Sequence, residues 1–343
     1  MKFKFDWFMQ GMVAVVVLAF IWPEPGAHNG FLYPELLNKL GIALIFLLNG
    51  LGLSLQSLKH GVLRWPVHVL IQLATFLFFP LLGWGLFRLG GNWLTPELKT
   101  GFFYLCALPS TVSSSVALTA AARGNVPVAL FNATLSSLIG VVLTPLWMAW
   151  ILGQSGIQFD AWPVIVDMLI WVFLPLVLGQ LARPWLGAWA ARHKQSIQLV
   201  DRGTILLLVY TSFSDSVQQG IWSNYGVGMV ALVMVGCLLI FGIMFGLMQM
   251  LSSAFDFSME DRIATVFCGS KKTLASGVPM AHLIFGANPA LGLILMPIML
   301  YHPLQLALGG LLAQHWADRP KQSSQATQST SSTSRSSHSK SVG

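Results

Sequence analysis

Apolar runs of about 18 residues or more recur along almost the whole chain, the length a helix needs to cross a hydrocarbon core about 30 Å thick. No other feature narrows the fold as much, because backbone groups in lipid must be satisfied within the chain, and only helices or closed barrels do that. The runs predict segments at 6–22, 34–53, 66–88, 98–122, 126–152, 161–184, 196–218, 226–251, 260–284 and 289–316. Short connections rich in turn residues, such as "PEPGAHNG", "LGGNWLTPE", "ILGQSG" and "FGANPA", leave no room for a soluble domain between them. Composition agrees: 55% of residues are hydrophobic and 9% charged, against about 25% charged in an ordinary soluble domain. The expectation is an all-α polytopic membrane protein with about ten transmembrane helices.

The first run follows basic residues as a signal peptide would. "IWPEPG" offers no small-residue cleavage site, so it reads as a retained helix. The net charge of +7 comes from residues scattered singly between apolar runs, with no dense patch for nucleic acid. Lys and Arg accumulate on the cytoplasmic side of membrane proteins. With the N-terminus inside, Arg64, Arg123, Arg183, Arg192, Arg262 and Arg319 fall inside, and Lys39, Arg88 and Lys99 fall outside. Both termini are therefore expected in the cytoplasm, most simply at a bacterial inner membrane. Cys106, Cys237 and Cys268 lie in apolar stretches without metal-type spacing, so neither a disulfide nor zinc is expected, and no cofactor. The Ser/Thr-rich stretch 319–343 is expected to be a disordered cytoplasmic tail.

Ten segments divide into residues 1–153 and 154–318, and an odd number of crossings per half gives two inverted five-helix repeats if the halves share a fold. One segment in each half looks broken. The fourth carries "CALPSTVSSSVALTAAARG", with Pro109 followed by Ser110, Thr111, Ser113, Ser114 and Ser115 at mid-membrane; the ninth carries "CGSKKTLASGVP". Breaks survive in lipid only where protein or a water-filled cavity surrounds them, so two matching breaks imply a shared interior.

Lys271 and Lys272 sit in the middle of the ninth segment. A lysine at the centre of a spanning helix costs about 2.5–3.5 kcal/mol on insertion scales, so something must stabilise it. Neighbouring residues point about 100° apart on a helix, so both face one interior only if the backbone unwinds, which predicts a break from Gly269 to Thr273. The competing reading places the pair near a surface, snorkelling to headgroups. Asp215 is the candidate counter-charge, against a solvated helix end, and Asp167 reads as solvated. Ser270 and Thr273 join the hydroxyls of the fourth segment, with Asn132 and Thr134 of the fifth, as candidate substrate or ion ligands. Each hydroxyl alone equally suits a carbonyl cap or a close helix contact.

At these residues the chain resembles the bile acid:sodium symporter superfamily, most closely its SBF-like branch. The likeness is carried by "QLATFLFFPLL", "LPSTVSSSVALTAAARGNVPVALFNA", "VYTSFSD", "FCGSKKTLASGVPMA" and "LYHPLQLALG". It implies ten helices, a panel and a core, and two crossing broken helices at segments four and nine. In the sodium-coupled branch a Ser-Asn pair follows the proline of the first crossing helix, where this chain has Ser114 and Ser115. The other crossing helix there has an acid, a glycine and a Gln-Asn pair that helps bind sodium. Aligned on Gly269, this chain has Phe267 for the acid and Lys271 and Lys272 for the pair. Thr75 stands for a glutamine before the third segment's proline, with Gln72 one turn away. The substitutions reverse the charge of that site, so no metal ligand set is assigned, and an ammonium is expected where the ion would stand.

The functional expectation is a secondary transporter, not an enzyme, for a small organic anion, coupled to sodium, to protons or to neither. Membrane lipid is the other partner, and the oligomeric state is open. The alternative is a membrane-embedded regulator or sensor of ion handling built on the same fold. A Ser-Lys hydrolase is a third reading, but adjacent Ser270 and Lys271 do not make a dyad by spacing alone.

Overall fold

A computed structural model describes residues 7–27, 33–52, 64–91, 94–154, 160–220, 222, 226–286 and 288–319. Lys2, Lys4, Lys59 and the tail from 320 onward lie outside the described residues. Helices account for nearly all of the rest. They are α1 (Trp7–Ile21), α2 (Pro34–Gly52), α3 (Trp65–Leu89), α4 (Pro96–Ala107), α5 (Ser113–Ala121) and α6 (Val126–Gln154). After them come α7 (Trp162–Arg192), α8 (Lys194–Gln218), α9 (Val227–Ala254), α10 (Met259–Gly269), α11 (Leu274–Phe285) and α12 (Leu291–Ala317). Six of these, α2, α3, α6, α7, α9 and α12, are long and apolar enough to cross a membrane. The chain is a multi-pass membrane protein.

Every predicted segment is helical. The sixth runs past its expected end at 184 to Arg192, with Pro184 inside the helix. The fourth and ninth are each two short helices, α4 with α5 and α10 with α11.

Local chemistry explains the ends. Thr95 caps α4 by accepting from Leu98 N, with Pro96 at the first helical position. α4 stops at Ala107 because Leu108 precedes Pro109 and is pushed to extended backbone, φ −67° and ψ 153°. Ser258 caps α10 by accepting from Asp261 N, with Glu260 and Asp261 in the first turn, where the helix dipole favours negative charge. Thr273, also extended, caps α11 by accepting from Ser276 N.

The helices sort into two packed groups. α2 lies along α7 and α1 along α8, with α2 touching α8, while the remaining helices pack chiefly on one another. Small residues permit the closest approach. At the α2–α7 contact, a Cβ on Gly50 would collide with the Leu176 carbonyl, and one on Gly179 with the Leu47 carbonyl. Between α4 and α12, a Cβ on Gly101 would lie 2.6 Å from Ile294 O.

Candidate functional site

The two helix breaks meet. Thr273 N donates to Pro109 O at 3.1 Å, joining one interruption to the other by a backbone hydrogen bond. Around this bond several carbonyls at the breaks have side-chain donors, as a buried backbone requires. On the α4 side, Thr144 Oγ1 donates to Ala107 O at 2.9 Å, and Lys272 Nζ donates to Cys106 O at 2.7 Å and Leu108 O at 2.5 Å. On the α10 side, Ser110 Oγ donates to Cys268 O at 2.7 Å, Ser115 Oγ to Phe267 O at 3.1 Å and Tyr301 OH to Ser270 O at 2.7 Å.

Lys272 has a third carbonyl, Thr75 O at 2.9 Å, and the α3 backbone explains why that oxygen is free. Residues Ala74–Phe78 form a π-helical turn, in which Phe79 N donates to Ala74 O. Thr75 O would then look to residue 80, which is proline and has no N–H. The lysine supplies the missing donor. Phe76 O, released by the same proline, accepts from Trp147 Nε1 at 3.0 Å.

Lys271 and Lys272 are buried, at 1% and 0% exposure, which removes the snorkelling reading. Their surroundings differ. Lys272 makes three carbonyl bonds and lies 4.1 Å from the centre of the Phe79 ring. At about 1.5–3 kcal/mol per hydrogen bond to a charged group, three of them exceed the insertion cost of the ammonium. Lys271 makes one long bond, 3.4 Å to Ser114 O, and stands 4.9 Å from the Phe267 ring centre. A cation on a ring face contributes about 2 kcal/mol when desolvated; with one hydrogen bond, Lys271 keeps unfilled donors among the described residues. Among the described residues, neither ammonium is paired with a carboxylate. Asp215 is half-buried near the end of α8 and Asp167 half-buried in α7; neither is a partner of the lysines.

The remaining predicted residues divide by their bonds. Ser115 and Ser270 are buried and spent on carbonyls, the latter donating to Val266 O at 2.6 Å. Thr273 is used as the α11 cap. Ser114 Oγ donates to Thr111 Oγ1 at 3.1 Å, and Ser113 is exposed. These three hydroxyl residues lie at the start of α5, whose preceding residue, Val112, makes no side-chain cap. Asn132 belongs to a separate cluster, with Nδ2 2.7 Å from His68 Nδ1 and Oδ1 accepting from Gln72 Nε2 at 3.2 Å. Thr134 is buried with no partner for its hydroxyl among the described residues.

Sequence reasoning missed Gln305, which is fully buried in α12. Its Oε1 accepts from Lys272 N at 2.9 Å and its Nε2 donates to Lys272 O at 2.8 Å, pairing with the unwound backbone as a neighbouring strand would. Arg319, assigned to the tail, instead donates to Ala122 O and Arg123 O, both at 2.8 Å, beyond the end of α5. Among the described residues no group of three or more His, Cys, Asp or Glu is arranged for a metal ion. A cavity of about 400 Å³ lies between Trp7 and the Gln195–Arg202 turns of α8, and no crossing residue lines it.

Residues 6–318 match the model of the SBF-like CPA transporter family. The chain belongs to that family. It is 41% identical over 318 residues to an uncharacterized protein of Pseudomonas aeruginosa, covering 93% of this chain and 95% of the relative. Escherichia coli YfeH is 36% identical, covering 92% and 94%. Sodium/bile acid cotransporter 7-B of Xenopus laevis is 30% identical, covering 91% of each chain. The family is one of transporters, in keeping with the resemblance seen at the crossing motifs.

Proposed function

We propose that this protein is a secondary transporter of a small organic anion, working by alternating access. One observation carries the reading: two broken helices meet beside a pair of buried lysines, and one of the pair, Lys271, holds a single long hydrogen bond among the described residues. An ammonium with unfilled donors beside the uncapped start of α5 makes a locus that favours negative charge. Thr111, Ser113 and Ser114 stand at that helix start as hydroxyl ligands, with Lys271 as the charge that selects the solute. The name of the Xenopus relative, a sodium/bile acid cotransporter, supports an organic solute.

Two inverted five-helix repeats, residues 1–153 and 154–318, give the simplest account of how each half supplies one broken helix. Both termini then face the cytoplasm of a bacterial inner membrane, as the basic residues argue. The division into two packed groups supplies the moving parts, with the crossing carried in one of them.

The test is uptake into proteoliposomes across a panel of labelled organic anions. Lys271→Met should abolish uptake of the transported anion, while Asp167→Asn should leave it unchanged. Unchanged uptake in both Lys271→Ala and Lys272→Ala would show the assigned roles to be wrong.

A further inference from the structure

We propose that the Lys272 ammonium is the fixed occupant of a carbonyl-lined site for a small monovalent cation, so that the protein carries its own cation there and needs no dissolved one. Removing the side chain uncovers a site for ammonium-type ions. The proposal deepens the transporter reading and rests on it for its uptake arm, while its binding arm stands without it.

The groups around Nζ are those of a cation site. Three backbone oxygens, Thr75 O, Cys106 O and Leu108 O, lie at 2.9, 2.7 and 2.5 Å, and the Phe79 ring centre at 4.1 Å. Carbonyl oxygens gathered in this way replace the hydration shell of a monovalent ion. A ring face adds the negative part of its quadrupole.

These oxygens are free for reasons that do not involve the lysine. The π turn ahead of Pro80 releases Thr75 O, and the end of α4 at the Leu108–Pro109 step releases the other two. The two α4 oxygens also lie at the negative end of that helix's dipole. The backbone therefore presents a negative focus whether or not residue 272 carries a charge. The tether is fixed as well, since Gln305 holds both the N–H and the carbonyl of Lys272. Lys271 is the contrast, with one long bond, to Ser114 O, among the described residues.

The experiment removes the side chain and returns the cation. In Lys272→Ala the lost atoms beyond Cβ match propylammonium, and thermal unfolding in detergent reads its binding. Lys272→Ala should melt below wild type, with propylammonium and ammonium chloride raising the transition in a saturable way. Tetramethylammonium chloride at equal ionic strength should have no effect, having no N–H to give. In proteoliposomes, uptake by Lys272→Ala should fall by about tenfold or more and recover to within about threefold of wild type with propylammonium. Wild-type uptake should be unchanged when sodium is replaced by choline.

Equal stabilisation by tetramethylammonium overturns the proposal, as does an apolar Lys272→Met variant that melts and transports like wild type. Loss of wild-type uptake on removing sodium also overturns it. Should Lys272→Ala fail to fold in plain buffer, purification in propylammonium gives the same reading: recovery supports the proposal, and failure there with wild-type-like Lys272→Met defeats it. If wild type takes up no solute at all, the transporter reading fails, while the melting series still decides whether the cation site exists.

Discussion

Ser110 and Lys272 each stand four residues after a cysteine, and each donates to the carbonyl of the other's cysteine: Ser110 Oγ to Cys268 O, and Lys272 Nζ to Cys106 O. The exchange makes each break the cap of the other. Ser110→Ala should therefore leave Cys268 O without its donor and lower thermal stability by about 1–2 kcal/mol, in the range for hydrogen bonds between membrane helices. Ser113→Ala, at an exposed position three residues on, should change stability by less than about 0.5 kcal/mol. Melting of the two variants side by side in one detergent checks the contrast, and equal effects would count against the reciprocal capping.

Much of this was legible in the chain because lipid imposes a strong rule. Apolar length marked each segment, and the pre-proline step at Leu108 and the adjacent lysines marked the breaks. Burial of Lys271 and Lys272 followed from their central place in an apolar run. The partners were not legible. Charge logic pointed to Asp215, whereas Lys272 is satisfied by carbonyl dipoles, one of them freed by a π turn that no side-chain period announces. Gln305 escaped notice because its bonds run to backbone 33 residues away, and nothing local distinguishes it from a helix–helix amide. Ser110, Ser115 and Ser270 of the hydroxyl cluster serve carbonyls, because the chain around a break must satisfy itself before it can offer anything to a solute.

Gln305 makes two bonds that hold a segment without helical pairing. Gln305→Leu keeps the bulk and strips both, leaving the Lys272 N–H and carbonyl buried and unpaired. The cost of one such group is about 1–3 kcal/mol, so the variant should be strongly destabilised or fail to fold. Gln305→Glu retains an acceptor for Lys272 N and loses the donor to Lys272 O, so it should fall between Gln305→Leu and wild type. Ranking the three by melting temperature checks the order.

The α2–α7 contact is set by two glycines facing backbone. Gly179→Ala brings a methyl onto the Leu47 carbonyl, which has no side-chain freedom to yield, so a loss of about 1–3 kcal/mol is expected. Gly52→Ala, where nothing stands within 4 Å, should be neutral or slightly stabilising. Unfolding followed by tryptophan fluorescence distinguishes them.

His282 of α11 reaches across to the other group of helices, with Nε2 2.9 Å from Ser212 Oγ and Nδ1 3.4 Å from Asn38 Nδ2. The alternating-access reading requires these contacts to part. Linking the thiols of Asn38→Cys/His282→Cys with a short bis-methanethiosulfonate should stop solute uptake, and a reductant, by cleaving the mixed disulfides, should restore it. The native thiols Cys106, Cys237 and Cys268 are buried and should not compete. Full uptake by the cross-linked double variant would show that this contact does not open during the cycle.

The hydrogen bond from Thr273 to Pro109 splices the two interruptions into one piece. With the Lys272 bonds to Cys106 O and Leu108 O, it ties α4 to the unwound stretch between α10 and α11, so the proposed cycle moves the two breaks together. On the transport reading proposed above, the stroke of the cycle belongs to the seam between the helix groups and not to the kinks themselves.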